Sequence, residues 1–304
     1  MLNDELNDEW SGWLLNRRHG GDAAQAARVQ ATVDGYVERV LEGAALTPNM
    51  VMADIGSGEG VVAWRAIERA GPGLQVVLTD ISAPLLRYAR ERARALGVAG
   101  QCRFVECGAE RLEGLESASL DVVTSRSALA YVADKPAALA EMFRVLKPGG
   151  RISLGEPVFR DEAQAACAMR QMLECGGAGN ALLALMHKWK AAQFPDTEAA
   201  MAASPIASYS ERDLLRLAQQ AGFAGLHMEL HMDVRPNEVT DWAVFCATSP
   251  HPWAPGLGEI MEREFTPEER AVFEAALRPE VEAGRLTTAS RMVFLTAGKP
   301  DNRG

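Results

Sequence analysis

A short apolar run that ends in an acid and a glycine-rich turn constrains this chain most. Residues 51–55 (VMADI) read as a buried strand, and the turn 56–60 (GSGEG) carries glycine at alternate positions. An apolar pattern with helical spacing begins directly afterwards, at 61–67. Gly56 and Gly58 allow a sharp turn and the close approach of a ligand, because they lack a β-carbon. Strand, turn and helix together predict a corner that binds a cofactor.

The glycine spacing narrows the kind of cofactor. A dinucleotide fingerprint is G-x-G-x-x-G, whereas this turn is G-x-G-x-G with Asp54 two residues before the first glycine, and no lysine follows to make a P-loop. The next apolar run, 75–80, ends in Asp80, about where a Rossmann-type unit places the carboxylate that binds the ribose. A carboxylate suits this role because its two oxygens can each accept one O–H.

Strands and helices then alternate along the chain. Further strands are predicted at 102–107, 120–126 and 151–157, with helices between most of them, which implies a parallel sheet built from right-handed crossovers. Strands at 226–234 and 291–297 have no sheet-forming helix between them and should pair antiparallel. We predict an α/β fold: a doubly wound, mostly parallel seven-stranded sheet with an antiparallel last strand, plus helical N-terminal and inserted lid segments.

The breaks in this pattern suggest a division of the chain. Residues 1–46 are helical in pattern and predicted to form an N-terminal lid. The predicted cofactor-binding domain takes 47–157 and 209–304. Inserts 158–208 and 235–288 interrupt it and are expected to form a substrate cap.

Composition excludes several function classes. The net charge is −10, from 31 basic and 41 acidic residues, so the surface repels a phosphate backbone and nucleic acid is not expected as a partner. Five cysteines without paired spacing indicate reduced thiols and a cytoplasmic location. No apolar run reaches membrane-spanning length, and no membrane partner or metal site is expected. We expect a small-molecule acceptor and also consider a homodimer.

The phrase 141–150 (EMFRVLKPGG) lies just before the fifth strand. With the glycine turn and Asp80, it resembles the class I (Rossmann-like) methyltransferases that use S-adenosylmethionine (SAM), most closely the ubiquinone/menaquinone-type methyltransferase-11 subgroup. The resemblance covers roughly residues 48–157. It implies SAM as cofactor, S-adenosylhomocysteine as product, and transfer of a methyl group to O, C or N of a small, partly apolar metabolite. Residues 126–135 are typical of a bacterial branch.

The same resemblance implies the cofactor-binding residues. Asp54, Gly56, Ser57 and Gly58 would hold the methionine end of SAM, Asp80 would bind the ribose, and Ile81 would pack on the adenine. Gly108, Ala109 and Glu110 would face the adenine edge, and Ser125 and Arg126 would approach the methionine amino group. Relatives often carry an acid where this chain has Gly108, so the adenine contact is left open between the Ala109 backbone and Glu110.

Three residues are candidates for the chemistry itself. Glu156 follows the fifth strand and is the first candidate for a base or an orienting carboxylate; alternatively it is a structural acid paired with Arg126 or an N-terminal arginine. Tyr131 is a candidate hydrogen-bond donor or a core side chain. His187 is a candidate because histidine as a residue type can transfer protons near neutral pH, but alternatively it is a solvated side chain.

Substrate contacts are expected from the lid and the first insert. The basic turn 16–21 contributes Arg18 and His19, and the insert contributes Met172 and Trp189, which are otherwise ordinary helix core.

Two other functions remain open at this point. One is a catalytically silent scaffold that binds SAM or another nucleotide, including a dehydrogenase-like binder. The other is an arsenic-type, thiol-dependent methyltransferase, because 174–178 (ECGGA) resembles one cysteine site of that group. The other cysteines do not follow the expected pattern.

Overall fold

The computed structural model describes residues 8–176 and 179–301. The first seven residues of the predicted lid, the last three residues of the predicted domain, and Gly177 and Ala178 of the arsenic-type resemblance lie outside the described residues.

The described strands form one seven-stranded sheet in the order β3-β2-β1-β4-β5-β7-β6. The strands are β1 (Val51–Ile55), β2 (Gln75–Asp80), β3 (Cys102–Glu106), β4 (Leu120–Arg126), β5 (Leu146–Pro157), β6 (Ala224–Pro236) and β7 (Thr287–Gly298). The first five strands pair parallel, and β7 runs antiparallel to both of its neighbours, β5 and β6. The predicted fold class is confirmed.

Helices cover both faces of this sheet and build an additional layer beyond it. They are α1 (Glu9–Leu15), α2 (Ala23–Ala44), α3 (Val61–Ala70), α4 (Ala83–Ala95), α5 (Lys135–Val145), α6 (Arg160–Glu174), α7 (Ala181–Gln193), α8 (Glu198–Ala203), α9 (Glu211–Gln220), α10 (Trp242–Ala247), α11 (Leu257–Glu264) and α12 (Pro267–Glu282). Capping side chains fix where several begin: Ser82 Oγ accepts from Leu85 N–H, and Asp134 accepts from Ala137 N–H ahead of Pro136.

The apolar side chains of the sheet divide between two faces. On one face, Leu139 and Met142 of α5 pack with Ile152 and Leu154, and all four are fully buried. On the other face, Val37 and Val40 of α2 join α3 and α4 against β1 and β2. The branched and apolar strand residues thus satisfy both sides of a parallel sheet, as the sequence pattern requires.

A third apolar cluster lies outside the sheet. It joins α7, α10, α11 and α12, which we call the helical cap, around the fully buried Phe273. Phe265 and Trp189 pack edge-on against the Phe273 ring, with ring centroids 5.3 and 6.0 Å away. Because this cluster has its own core, the cap can hold a wall over the sheet's edge.

The fold brings the carboxyl ends of β1, β2 and β4 together at one edge of the sheet, where ligands bind in open α/β folds. None of the helices in the described ranges combines the length and apolarity needed to cross a lipid bilayer.

Candidate functional site

A cavity of about 900 Å³ opens over the carboxyl ends of β1, β2 and β4. This volume lies near the upper end of the range for small-molecule sites, roughly 300–1,000 Å³. The sheet's edge forms the floor, α1 and α2 form one side, and the helical cap forms the opposite side. The enclosure is therefore large enough for a nucleoside and a second small molecule.

The floor begins with the glycine turn. Gly56 and Gly58 have φ values of +64° and +54°, which favour glycine over residues with a side chain. A β-carbon on Gly56 would collide with Ala128, and one on Gly58 would lie 3.1 Å from Leu14 Cδ2 of α1. The backbone of this turn thus has a conformation and close neighbours that only glycine accommodates.

Asp80 anchors the turn from the end of β2. Its Oδ2 accepts the Gly58 N–H at 2.8 Å, and its Oδ1 accepts the Ser82 N–H at 2.8 Å. Each oxygen keeps one further lone pair, and Asp80 lines the cavity. Burial raises the pKa of Asp80, while the two backbone donors counteract that shift. Asp80 can therefore accept hydrogen bonds from two hydroxyl groups of a ligand in the cavity.

Three buried polar atoms at the ends of β1 and β4 make no hydrogen bond within the described part of the chain. They are Asp54 Oδ2, Ser57 Oγ and Arg126 Nε. Ser57 and Arg126 line the cavity, whereas Asp54 is buried beneath the lining residues. The other Asp54 oxygen accepts from Thr124 Oγ1 at 2.9 Å. Burial raises the pKa of Asp54 to about 7, against lowering contributions from Thr124 and Arg126. Unpaired buried polar atoms cost free energy, so this trio fits a ligand that carries both an amino and a carboxylate group.

The turn after β3 closes the other end of the floor. Ala109 and Glu110 line the cavity together with Ile81, whose side chain is 55% exposed. A β-carbon on Gly108 would lie 3.0 Å from Glu110 Oε2, so the glutamate side chain folds back over that glycine. Gly108 itself does not line the cavity. An apolar surface beside an acceptor carboxylate suits the face and edge of a purine.

Arg18 and Arg126 both line the cavity, and neither has a carboxylate within ion-pair distance among the described residues. Arg18 stacks on Trp13 at 5.6 Å, and Arg126 Nη1 donates to Ser127 Oγ at 3.2 Å. Burial and, to a lesser extent, the nearby Arg126 lower the pKa of Arg18 to about 10. Two close guanidinium groups make this part of the wall selective for an anionic group.

Tyr131 lies between these arginines and the cap. Its ring packs edge-on against Trp10 of α1 and Trp253, with centroids 5.3 and 5.6 Å away. Burial raises the pKa of the Tyr131 hydroxyl well above its usual value, so the group stays protonated. Lys135 Nζ, which donates to the carbonyls of Ala130 and Val132, holds the short turn that carries this ring.

Glu156 and Ser125 lie beneath the cavity rather than in its wall. Glu156 is fully buried, and its carboxylate accepts from Ser125 Oγ at 2.9 Å and from the Ala130 N–H at 3.0 Å. Burial raises the pKa of Glu156. Among the described residues, neither Arg126 nor an N-terminal arginine forms an ion pair with Glu156. In this arrangement Glu156 fixes the turn that presents Tyr131, and its oxygens do not reach the cavity.

Of the residues expected to contact the substrate or to transfer a proton, some line the cavity and others do not. Arg18 and Trp189 line the cavity, and Trp189 Nε1 is buried without a hydrogen-bond partner in the described ranges. His187, the candidate for proton transfer, instead pairs with Asp196 at 3.0 Å and does not line the cavity. His19 Nε2 contacts the Leu15 carbonyl at 3.1 Å, and Met172 is 51% exposed on α6. The structure does not bring His187, His19 or Met172 to the cavity.

Two parts of the cavity wall were not predicted from the sequence. Four α2 residues line the cavity: Gln25, Val29, Thr32 and Tyr36. The first residues of β7, Thr287–Met292, line it as well, although the sequence pattern placed the start of that strand at 291. The one available signal was the row Val29, Val33, Tyr36, Val37 and Val40, whose helical period does not distinguish residues facing a core from residues facing a cavity.

The N-terminal segment is fastened across the cavity to residues 249–254. Trp13 Nε1 donates to the Ser249 carbonyl at 3.1 Å, and the Ser249 N–H donates to the Arg17 carbonyl at 3.1 Å. Arg17 Nη2 donates to the Pro252 carbonyl at 2.7 Å. We call this set of contacts the latch. It closes α1 over the glycine turn.

Within residues 8–176 and 179–301, no three His, Cys, Asp or Glu side chains converge in a way that could hold a metal ion. The exposed Cys175 and the partly buried Cys102, Cys107, Cys167 and Cys246 are all free thiols.

Comparison with known proteins decides the family. A family model described as a methyltransferase domain matches residues 46–222, which is more than half of the chain. The chain belongs to this methyltransferase family. The match includes the glycine turn, Asp80, Arg126 and the turn that carries Tyr131, and ends at the close of α9. The resemblance found in the sequence is confirmed.

Curated relatives match a little over a third of the chain. The chain is 35% identical over 116 residues to a ubiquinone/menaquinone biosynthesis C-methyltransferase of Shewanella piezotolerans, which is 38% of this chain and 46% of the relative. It is 42% identical over 106 residues to the protein of that name in Pseudomonas savastanoi pv. phaseolicola, covering 35% and 41%. The chain thus spans less than half the length of these relatives.

Solved structures extend the likeness to the whole fold. The YcgJ protein of Bacillus subtilis aligns with a TM-score of 0.56 at 16% identity, over 88% of this chain and all of that one. Phosphoethanolamine N-methyltransferase 2 of Haemonchus contortus, solved with S-adenosyl-L-methionine, aligns with a TM-score of 0.50 at 17% identity, over 96% and 56%. At these identities the likeness establishes the fold.

Proposed function

We propose that this protein is a SAM-dependent methyltransferase that methylates O, C or N of a small, partly apolar metabolite. The observation that carries the proposal is the unpartnered trio of Asp54 Oδ2, Ser57 Oγ and Arg126 Nε beside the glycine turn. An amino acid end supplies an ammonium for the carboxylate and a carboxylate for the guanidinium and hydroxyl.

The rest of the cavity floor fits the nucleoside part. Asp80 retains one lone pair on each oxygen for the two ribose hydroxyls, and Ile81 and Glu110 offer a surface and an acceptor to the adenine. Family membership supports SAM as the cofactor, and the Haemonchus contortus structure, which has a similar fold, contains S-adenosyl-L-methionine.

When bound, SAM would supply a sulfonium methyl group for in-line transfer to an electron-rich atom of the acceptor, with S-adenosylhomocysteine as the leaving group. The chain's own residues orient that atom, exclude water and remove a proton where the acceptor atom carries one. The latch and the helical cap close the cavity from both sides. The protonated Tyr131 hydroxyl acts as a hydrogen-bond donor rather than as a base, and Glu156 positions it through Ala130.

The chemistry of the wall defines the acceptor class. Apolar side chains dominate the cap side, with Phe159, Met186, Phe194 and Phe245 among them, and this favours a partly apolar molecule. Arg18 and Trp189 Nε1 offer donors to its oxygen atoms. The names of the curated relatives make carbon the first acceptor atom to test.

We further propose the division of the chain that accompanies this function. Residues 1–46 act as a lid, 47–157 and 209–304 form the SAM-binding domain, and inserts 158–208 and 235–288 form the cap over the acceptor. Trp10, Tyr131 and Trp253, one from each part, meet in one aromatic cluster, which supports closure of all three around one ligand pair.

Calorimetric titration of the full chain with SAM, S-adenosylhomocysteine and NAD tests the cofactor. We expect the two SAM compounds to bind and NAD not to bind; NAD binding without SAM binding would overturn the proposal. Transfer of a labelled methyl group to a panel of carbon acids, phenols, carboxylic acids and amines tests turnover. SAM binding with no transfer to any class would instead indicate a silent scaffold.

A further inference from the structure

Strand β6 ends the sheet with an open edge. It is 13 residues long and pairs with β7 on one side only. On its other side, the backbone of residues 226–235 makes no hydrogen bond to any described residue. A row of unpaired N–H and C=O groups on a long edge strand is a template for pairing with another strand.

The exposed face of this edge is apolar. Leu230, Met232 and Val234 are 43%, 58% and 69% exposed and follow one another on the same face of the strand. A bulge between Ala224 and His227 and the terminal Pro236 protect the two ends of this edge. Between them, residues 227–235 contain no proline and no lysine, so this stretch is open to pairing.

The charges on the opposite face make the strand complementary to itself. If two copies of β6 pair antiparallel about a two-fold axis at Met232, Glu229 lies opposite Arg235 and His231 lies opposite Asp233. On the other face, Leu230 lies opposite Val234 and Met232 opposite its own copy. Opposite charges and apolar side chains that face one another across strands both stabilise a sheet.

Neighbouring registers are less complementary. A two-fold axis at His231 puts Glu229 opposite Asp233, and an axis at Asp233 puts that carboxylate opposite itself; like charges directly opposite destabilise the pair. An axis at Leu230 keeps Glu229 opposite His231 and His227 opposite Asp233, but it leaves Arg235 opposite Gly225, without a carboxylate partner. The two-fold axis must pass through a residue and not between two residues, because residues that pair directly must point to the same face of the sheet.

The ion pairs that the charged side chains of β6 form within one copy are compatible with this pairing. Glu229 already contacts Arg39 of α2 and His231, and Asp233 lies 3.3 Å from Arg235. These side chains are partly exposed, and a carboxylate accepts several donors, so each can take a further partner across the axis.

We propose that two copies of this chain associate through β6, in antiparallel register about Met232, to form one continuous sheet. The partner is a second copy because the edge is self-complementary, as a two-fold interface requires. The proposal does not depend on the identity of the ligand. It has a consequence for the cavity, however, since Thr287–Met292 of β7 pair with β6 and form part of the cavity wall. Association would brace that wall.

Sedimentation equilibrium of the full chain tests the association. We expect a mass twice the 32.8 kDa of the single chain for the wild type, and the single-chain mass for Met232→Lys. Met232 is exposed, so the lysine is tolerated in one copy, but two lysines would meet on the axis. The matched control is Val272→Lys, an apolar residue of α12 that is 49% exposed and lies away from the edge. It should stay dimeric.

A single-chain mass for the wild type would overturn the proposal, as would equal behaviour of the two lysine variants. The register is tested by disulfide formation between single-cysteine additions. Mixed Leu230→Cys and Val234→Cys chains should cross-link to each other far faster than either chain cross-links to itself. Preferential self-linking of either variant would contradict the axis at Met232.

Discussion

Asp80 combines two tasks, since it fixes the backbone of the glycine turn and offers its remaining lone pairs to the cavity. Replacement by alanine should weaken SAM binding by about 1–3 kcal/mol, the usual cost of leaving buried polar groups unpaired. Calorimetry on the variant measures this directly.

The matched control is Glu106→Ala. Glu106 is the register partner of Asp80 at the end of the neighbouring strand, but it is exposed and does not line the cavity. It should bind SAM as the wild type does. Equal affinities for SAM in the Asp80 variant and the wild type would show that the ribose lies elsewhere.

The raised pKa of Asp54 predicts that SAM binding is linked to the release of a proton. The Asp54 pKa is raised to about 7 by burial, so below that pH the free protein holds a proton there. A bound ammonium would favour the carboxylate and lower this pKa. SAM binding near pH 6.5 should therefore release a proton, and affinity should rise as pH increases toward about 7. The amino group of SAM, with an ordinary pKa of roughly 7.7–8.0, is already charged in this window.

Titrations in two buffers with different ionisation enthalpies measure the released proton. The observed binding enthalpy should differ between the buffers for the wild type and should not differ for Asp54→Asn. The same enthalpy in both buffers for the wild type would contradict an ammonium partner for Asp54.

At the scale of elements, the latch sets how a ligand enters. The Arg17 side chain donates to the Pro252 and Ala254 carbonyls, at 2.7 and 3.5 Å. Because a typical hydrogen bond contributes about 0.5–1.5 kcal/mol, Arg17→Ala should speed SAM release by roughly tenfold. Stopped-flow tryptophan fluorescence follows this rate, since Trp10, Trp13 and Trp253 lie at the closure.

Arg212→Ala removes a highly exposed arginine at the start of α9 that pairs with its chain neighbour Glu211, and it should leave the release rate unchanged. Identical release rates for the Arg17 variant and the wild type would mean that the segment does not gate the cavity.

Local sequence patterns predicted the elements that depend on local physics. The glycine turn, Asp80 and the alternation of strands and helices follow from spacing, and the sheet order confirms the fold. The latch could not be predicted in this way, because Arg17 and Pro252 are 235 positions apart and the acceptor is a backbone carbonyl. His187 shows the converse, since residue type suggested chemistry and Asp196 occupies its ring nitrogen instead.

At the scale of the whole molecule, the sheet and the helical cap have separate apolar cores. Phe273→Ala should destabilise the cap by about 3–5 kcal/mol, because the ring is fully buried there. SAM binding should persist, since the glycine turn, Asp80 and Arg126 lie outside that cluster. Hydrogen exchange should accelerate in 181–193 and 242–282 only.

The comparison variant is Leu139→Ala, which removes a fully buried side chain from the core under the sheet. This substitution should lower the free energy of unfolding by about 2–5 kcal/mol and should accelerate hydrogen exchange in the strands as well. If Phe273→Ala accelerated exchange in the strands as strongly as Leu139→Ala does, the cap and the sheet would be one cooperative unit.

We expect SAM and its product to bind at the carboxyl ends of β1, β2 and β4. A crystal structure of the full chain with S-adenosylhomocysteine should show the ribose hydroxyls on Asp80, the amino acid end among Asp54, Ser57 and Arg126, and the adenine beside Ile81. A ligand bound outside this cavity, or one bound in it with the ribose away from Asp80, would contradict this placement.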